Sequence, residues 1–143
     1  MRVAMVFGRI LASLSQVGKD HDTGGVEFWR DPMRAGWLYK RGDVISTWRR
    51  RWFVLKDGKL FWFLDSNVTP ESKTRGVIDL RYCLSVASAM DKTGKGGSFE
   101  ITCMGESKVF VADTEDEKDA WLSTIGSGIV RASHAITEEA MDY

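Results

Sequence analysis

The chain has 143 residues and 16.1 kDa, of which 43% are hydrophobic and 11% aromatic, enough apolar material for one domain with a short extension and too much for wholesale disorder. A formal net charge of zero hides a strong asymmetry: residues 1–60 carry twelve Lys/Arg against six Asp/Glu, and residues 61–143 carry eight against fourteen. Such a chain suits docking on an anionic surface, whereas a bulk nucleic-acid binder is usually basic throughout.

Residues 2–19 contain Arg2, Arg9 and Lys19, no acid, and Val3, Phe7, Ile10, Leu14 and Val17 on one helical face. Two readings stand open there. One is an amphipathic membrane-surface helix or a targeting peptide; the other is a helix packed on the domain or a frayed terminus, with Gly8 as a break. The apolar run is too broken for a secretory signal, and nowhere does the chain reach the roughly 18 apolar residues that span a bilayer. After a polar stretch from Gly18 to Gly25, the cluster Val26-Glu27-Phe28-Trp29 precedes Asp31-Pro32, where a regular element must stop. The cluster reads as a strap packed on the domain. The partition expected is an extension at 1–34, a domain at 35–131 and an acidic tail at 132–143.

Strand patterns follow at about 35–42, 47–56, 59–65, 75–80, 83–88, 97–103 and 107–113. Asp57-Gly58 is a two-residue hairpin signal, and Gly105 marks another tight turn. Residues 66–74 and 90–97 read as polar loops, the second made mobile by Gly94, Gly96 and Gly97. Thr114-Glu115-Asp116-Glu117 then matches a capping box, with Trp121, Leu122, Ile125 and Ile129 as an apolar stripe behind it. Gly126 and Gly128 predict a bend or an end to that helix, and 132–143 reads as a frayed tail. Seven short antiparallel strands and one helix predict a mainly β fold: a bent sheet or barrel, one end plugged by the helix and the other left open.

Chemistry concentrates on the first two strands. Side chains alternate between faces, so Arg49, Arg51, Phe53 and Leu55 share one face, with Leu38 and Lys40 of the preceding strand beside them. The apolar members line a core and Lys40, Arg49 and Arg51 line a cationic mouth, an arrangement suited to a polyanion. Arg50 faces the other way and reads as a surface charge that adds general attraction; Trp52, Phe53 and Phe63 read as core or support. Val44 and Ile45, at the tip of the intervening loop, have little structural need to be β-branched and apolar. They are expected to insert into the acyl region, contributing roughly 2–4 kcal/mol if fully buried, with about 1 kcal/mol for each basic residue near an anionic leaflet. Asp43 opposes that attraction.

Cys83 and Cys103 form no CxxC pair and read as small core residues, which leaves no disulfide framework and points to a reducing compartment. His21 and His134 fall outside the expected core. With no nucleophile–base pair, phosphate loop or ligand spacing, the expectation is a non-enzyme with no catalytic residue, no metal and no cofactor.

The order and spacing of Gly36-Trp37-Leu38-Tyr39-Lys40, Thr47 to Leu55, Lys59-Leu60-Phe61-Trp62-Phe63, Arg75 to Leu80 and Trp121 resemble the pleckstrin homology (PH) domain family from Gly36 to about Ile129. Glu27-Phe28-Trp29 and the end near Asp142-Tyr143 further resemble small plant-type proteins built of a single PH domain. The resemblance implies a seven-stranded bent antiparallel barrel capped by a C-terminal α-helix. It also implies phosphoinositide headgroup binding through Lys40, Arg49 and Arg51, with Arg75 at a phosphate-contacting position. Trp62 stands where lipid-binding members often carry a tyrosine, and the short acidic turn Met104-Gly105-Glu106 lacks the basic groups of tight binders. Both point to a monophosphorylated or weakly discriminated lipid.

The function expected is therefore a membrane-targeting adaptor of signalling or trafficking, cytoplasmic and peripheral on endomembrane or plasma membrane. Its partners would be phosphoinositides and anionic membrane, with a possible protein partner and no nucleic acid. The alternative is a protein-interaction module for a peptide or small GTPase on the same scaffold. A weaker third reading, single-stranded RNA, follows from the interleaved basic and aromatic residues.

Overall fold

Alternating apolar side chains become seven antiparallel strands in the computed structural model, which describes residues 23–42 and 47–141, with side chains described up to residue 136. The 2–19 segment and the loop-tip pair Val44 and Ile45 lie outside the described residues. The strands are β1 (Arg34–Arg41), β2 (Trp48–Lys56), β3 (Lys59–Phe63), β4 (Gly76–Asp79), β5 (Cys83–Ser88), β6 (Ser98–Cys103) and β7 (Glu106–Ala112). A helical turn at Leu80–Tyr82 joins β4 to β5, a short helix α1 (Met90–Thr93) precedes β6, and α2 (Glu115–Met141) follows β7. Spatial order is β4-β3-β2-β1-β7-β6-β5, so the sheet stays open between its edges β4 and β5.

One face of this bent sheet makes the core. Leu38, Phe53, Leu55, Leu60, Trp62 and Ile78 come from the first four strands, and Phe99, Ile101 and Phe110 from β6 and β7. Trp121, Ile125 and Ile129 of α2 close it, the stripe expected from the helical spacing. Each large side chain removed from water in this way contributes roughly 1.5–3 kcal/mol.

The β2–β3 hairpin turns through Asp57-Gly58, with Lys56 opposite Lys59 and Trp52 opposite Phe63. It buries both of its faces. Phe53 and Trp62 point inward, while Val54, Phe61 and Phe63 point outward beneath Phe28 of the strap. The Phe28 ring lies 5.1 Å from Phe63, 5.5 Å from Phe61, and edge-on to Trp29 at 5.0 Å. Lys56 Nζ fastens the strap by donating to the carbonyls of Arg30 at 2.6 Å and Asp31 at 3.1 Å.

Two local expectations are overturned. The helix α2 starts as the capping residues predict, with the Glu117 N–H donating to Thr114 Oγ1 at 3.1 Å, but it does not end at its glycines. Gly128 packs so close to Leu80 that an added Cβ would collide with the leucine side chain, so the missing side chain seats the helix. Ala132 is buried and the helix runs to Met141, so 132–141 is helical rather than a frayed tail. The 90–97 stretch is likewise tied down. Lys92 pairs with Glu100 at 2.8 Å, Thr93 Oγ1 donates to Ser98 Oγ at 2.7 Å, and the Gly97 N–H donates to Glu115 Oε1 at 2.7 Å. Among the described residues no helix is long and apolar enough to cross a membrane.

Replacing Phe28→Ala should lower stability by about 3 kcal/mol, the usual loss for deleting a buried aromatic ring. Urea denaturation checks this; an unchanged midpoint would mean the strap is not part of the cooperative unit.

Candidate functional site

Strand pairing decides what the inner face presents at its end away from α2. Lys40 lies opposite Arg49, Leu38 opposite Arg51, and Gly36 opposite Phe53. The same face thus passes from buried Phe53 and Leu38 to half-buried Arg51 and Lys40, then to exposed Arg49. Arg34, at the other end of β1, holds its guanidinium 5.2 Å from the Trp121 ring under the helix. Six residues of strand put Lys40 roughly 20 Å away, at the uncovered end.

Arg75 joins from the neighbouring edge. Its N–H donates to the Trp62 carbonyl at 2.7 Å, just before Trp62 pairs with Gly76. The field at Arg51 shows the convergence: its pKa is held down by partial burial first, then by the positive charges of Arg75 and Arg49. A depressed pKa on a cation means the folded state disfavours the charge, a cost present at every pH below the folded pKa. No titration in the physiological range relieves it, whereas a bound anion does. Arg51 Nη1 donates to the Arg50 carbonyl at 2.8 Å, which fixes the guanidinium. Arg75 Nε is buried without a hydrogen-bond partner. Among the described residues no carboxylate pairs with Arg49, Arg51 or Arg75.

The sequence places Trp62 in contact with a headgroup; the structure puts it lower. Its side chain is 1% exposed, lies tilted against Phe53 with ring centroids 5.6 Å apart, and carries the Lys40 ammonium 5.3 Å above its ring centroid. Gly76 makes this possible, because a Cβ there would fall inside the indole. Trp62 is therefore a floor that positions Lys40 by cation–π attraction, not a donor at the rim.

Arg50 faces the other way, as the alternation of side chains requires. On the outer face its guanidinium lies 4.6 Å from the Trp37 ring and 5.9 Å from Tyr39, and it pairs with Asp113 at 2.8 Å. It is the outward-facing surface charge expected, with a carboxylate partner that the sequence does not reveal. Asp113 escaped the sequence reading because only the β1–β7 pairing, with Tyr39 opposite Val111, brings it near. Arg41 is exposed where β1 ends, opposite Trp48. Val44 and Ile45 belong to the β1–β2 connection but lie outside the described residues.

Chemically the site is a set of donors. Guanidinium groups match phosphate oxygens in bidentate fashion, and the Lys40 ammonium adds a point charge. Among the described residues no cluster of His, Cys, Asp or Glu could hold a metal.

A family model described as the PH domain matches residues 32–130. Pleckstrin homology domain-containing protein 1 of Arabidopsis thaliana is 47% identical over 125 residues, covering 85% of this chain and 86% of that one. Human cytohesin-4 is 29% identical over 121 residues, but the match spans 71% of this chain and only 30% of the cytohesin. Among solved structures, the Slm1-PH domain in complex with phosphoserine superposes with a TM-score of 0.62 at 18% identity, covering 69% of this chain and 96% of that one. The same domain with D-myo-inositol-4-phosphate gives 0.59 at 19% identity, covering 68% and 96%.

Removing one of the clustered charges should stabilise the unliganded protein. Arg51→Met keeps the aliphatic stem and should raise stability by about 0.5–1 kcal/mol, read from the urea midpoint at low salt. Loss of stability in this variant would show that the arginine is held by a favourable internal interaction instead.

Proposed function

The chain belongs to the PH domain family, and we propose that it is a non-catalytic module that docks on anionic membranes by gripping a phosphoinositide headgroup between Lys40, Arg49, Arg51 and Arg75. The observation that carries this reading is the set of three arginines, without a carboxylate partner among the described residues, facing one volume above a packed core. Holding them there costs stability, which an anion with several oxygens restores. The Slm1-PH complexes support a phosphate-bearing ligand class, since that domain, described as binding ligand in a non-canonical site, holds D-myo-inositol-4-phosphate and phosphoserine on a similar fold.

A monophosphorylated or weakly discriminated lipid fits best. Trp62 lies too deep to add a rim donor, and the short β6–β7 turn at Met104-Gly105, followed by Glu106, carries no basic residue. Val44 and Ile45 supply the apolar part of the contact in this proposal, and the setting is the cytoplasmic leaflet of an endomembrane or the plasma membrane, in an adaptor role. Headgroup and loop together give modest affinity, so stable residence needs a second signal from membrane or protein.

In co-sedimentation with vesicles carrying a single phosphoinositide, Arg51→Ala should weaken binding at least tenfold, the loss of one charge-assisted hydrogen bond or more. Lys40→Ala/Arg51→Ala should reduce it to the level of vesicles without phosphoinositide. Undiminished binding by the double variant, with circular dichroism unchanged, would overturn the headgroup reading. Binding that tracks oligonucleotide length rather than lipid phosphate would favour RNA instead.

A further inference from the structure

The inner face of the β5–β6 pair sets Cys83 directly opposite Cys103. One residue outward, the Met104 N–H donates to the Tyr82 carbonyl at 3.1 Å. That places the cysteines on a non-hydrogen-bonded rung, where opposite Cα atoms come to about 4.5 Å and side chains approach most closely. A disulfide spans Cα separations of about 4.4–6.8 Å, so the backbone already meets its requirement. Both thiols are free, both are buried, and their sulphurs are 3.1 Å apart. Filling a core needs small apolar groups; it does not need two nucleophiles in contact.

We propose that Cys83 and Cys103 are a dithiol modification site, oxidised by a small hydroperoxide to a reversible intramolecular disulfide that staples the edge strand β5 to β6. Cys103 is the attacking sulphur. It shares a hydrogen bond with Cys83 in which either sulphur can donate, and Cys83 also has the Asp79 carbonyl at 3.6 Å as an acceptor. Cys103 lies opposite Glu106 at the strand end, with the Lys108 ammonium close enough to favour its thiolate and burial and Glu106 opposing. Cys83 holds its own proton more tightly, through that same hydrogen bond and burial. Access is through the sheet edge. β5 has no partner strand on its outer side, and a register shift between Cys83 and Ser85 leaves Leu84 unpaired and 64% exposed. Fraying of this end uncovers the sulphurs to a molecule the size of hydrogen peroxide, while a bulky disulfide such as oxidised glutathione needs a wider opening.

The steps balance. The Cys103 thiolate attacks one peroxide oxygen, the O–O bond breaks, and hydroxide leaves and takes a proton to become water, giving Cys103–SOH. Cys83, deprotonated, then attacks that sulphur; the S–S bond forms and hydroxide leaves, again protonated to water. Two thiols lose two electrons and two protons, and one hydrogen peroxide gives two waters (an organic hydroperoxide gives one alcohol and one water). A thiol reductant reverses the change.

The test uses the full chain treated with hydrogen peroxide, then denatured and alkylated with a maleimide mass tag. The result expected is a monomer lighter by two hydrogens that takes no tag, with a peptide joining Cys83 to Cys103, and recovery of both tags after dithiothreitol. Cys83→Ser should instead stop at a Cys103 sulfenic acid, trapped by dimedone. Two tags after native treatment, or oxidation only to sulfinic acid or intermolecular dimers, would overturn the proposal. So would an oxidised form that unfolds at a lower temperature than the reduced one, because a bond matched to the native rung raises the unfolding temperature. The readouts involve no lipid, so they stand apart from the headgroup reading.

Discussion

The rung that sets Lys40 against Arg49, with Leu38 and Arg51 on the next inward-facing rung, governs how the rest of the molecule is organised. Like charges directly opposite on a sheet repel, and here a third guanidinium, Arg75, adds to the strain. A soft framework would splay or turn these side chains to solvent. This one holds them because the same strands, a few residues further along, are anchored by Phe53, Leu55 and Leu38 in a continuous core. The affinity for an anion is thus stored in the packing. Trp62 links the two, being core to Phe53 on one side and a seat for Lys40 on the other.

Most of this was legible because period-two patterns are local. Strand boundaries fell within two residues of those read from alternation, the Asp57-Gly58 hairpin fixed the β2–β3 register, and the face assignment of Lys40, Arg49 and Arg51 followed from parity alone. The failures are all long-range. The carboxylate partner of Arg50 stayed hidden because Asp113 lies 63 residues away and reaches it only through β7. Trp62 was set at the rim because nothing in the sequence says that Gly76 faces its indole and leaves space for it. Gly126 and Gly128 signalled a weak helix by propensity, and tertiary contact with Leu80 reversed the outcome. Residues 90–97 looked loose by composition, yet Glu115 of a distant helix accepts from Gly97 and orders them. The facing of Cys83 and Cys103 likewise needed the β5–β6 register, which a bulge shifts by one residue.

The strap solves a separate problem. A hairpin rich in aromatics on both sides would leave Val54, Phe61 and Phe63 facing water, a patch prone to association. Phe28 covers them, and the Lys56 ammonium that holds the strap in place comes from the same hairpin. A segment that reads as a prelude to the domain is in effect its second small core.

The strand order has a consequence for how the chain is made. β1 lies at the centre of the sheet, flanked by β2, which follows at once, and by β7, which ends at Ala112. During synthesis its second edge stays without a mate until the chain has been made as far as Ala112, more than seventy residues after β1 ends at Arg41. Assembly therefore waits on a distant pairing, and the nascent β1–β4 meander carries an open, aromatic-rich border through that interval, the period when a chaperone has most to shield.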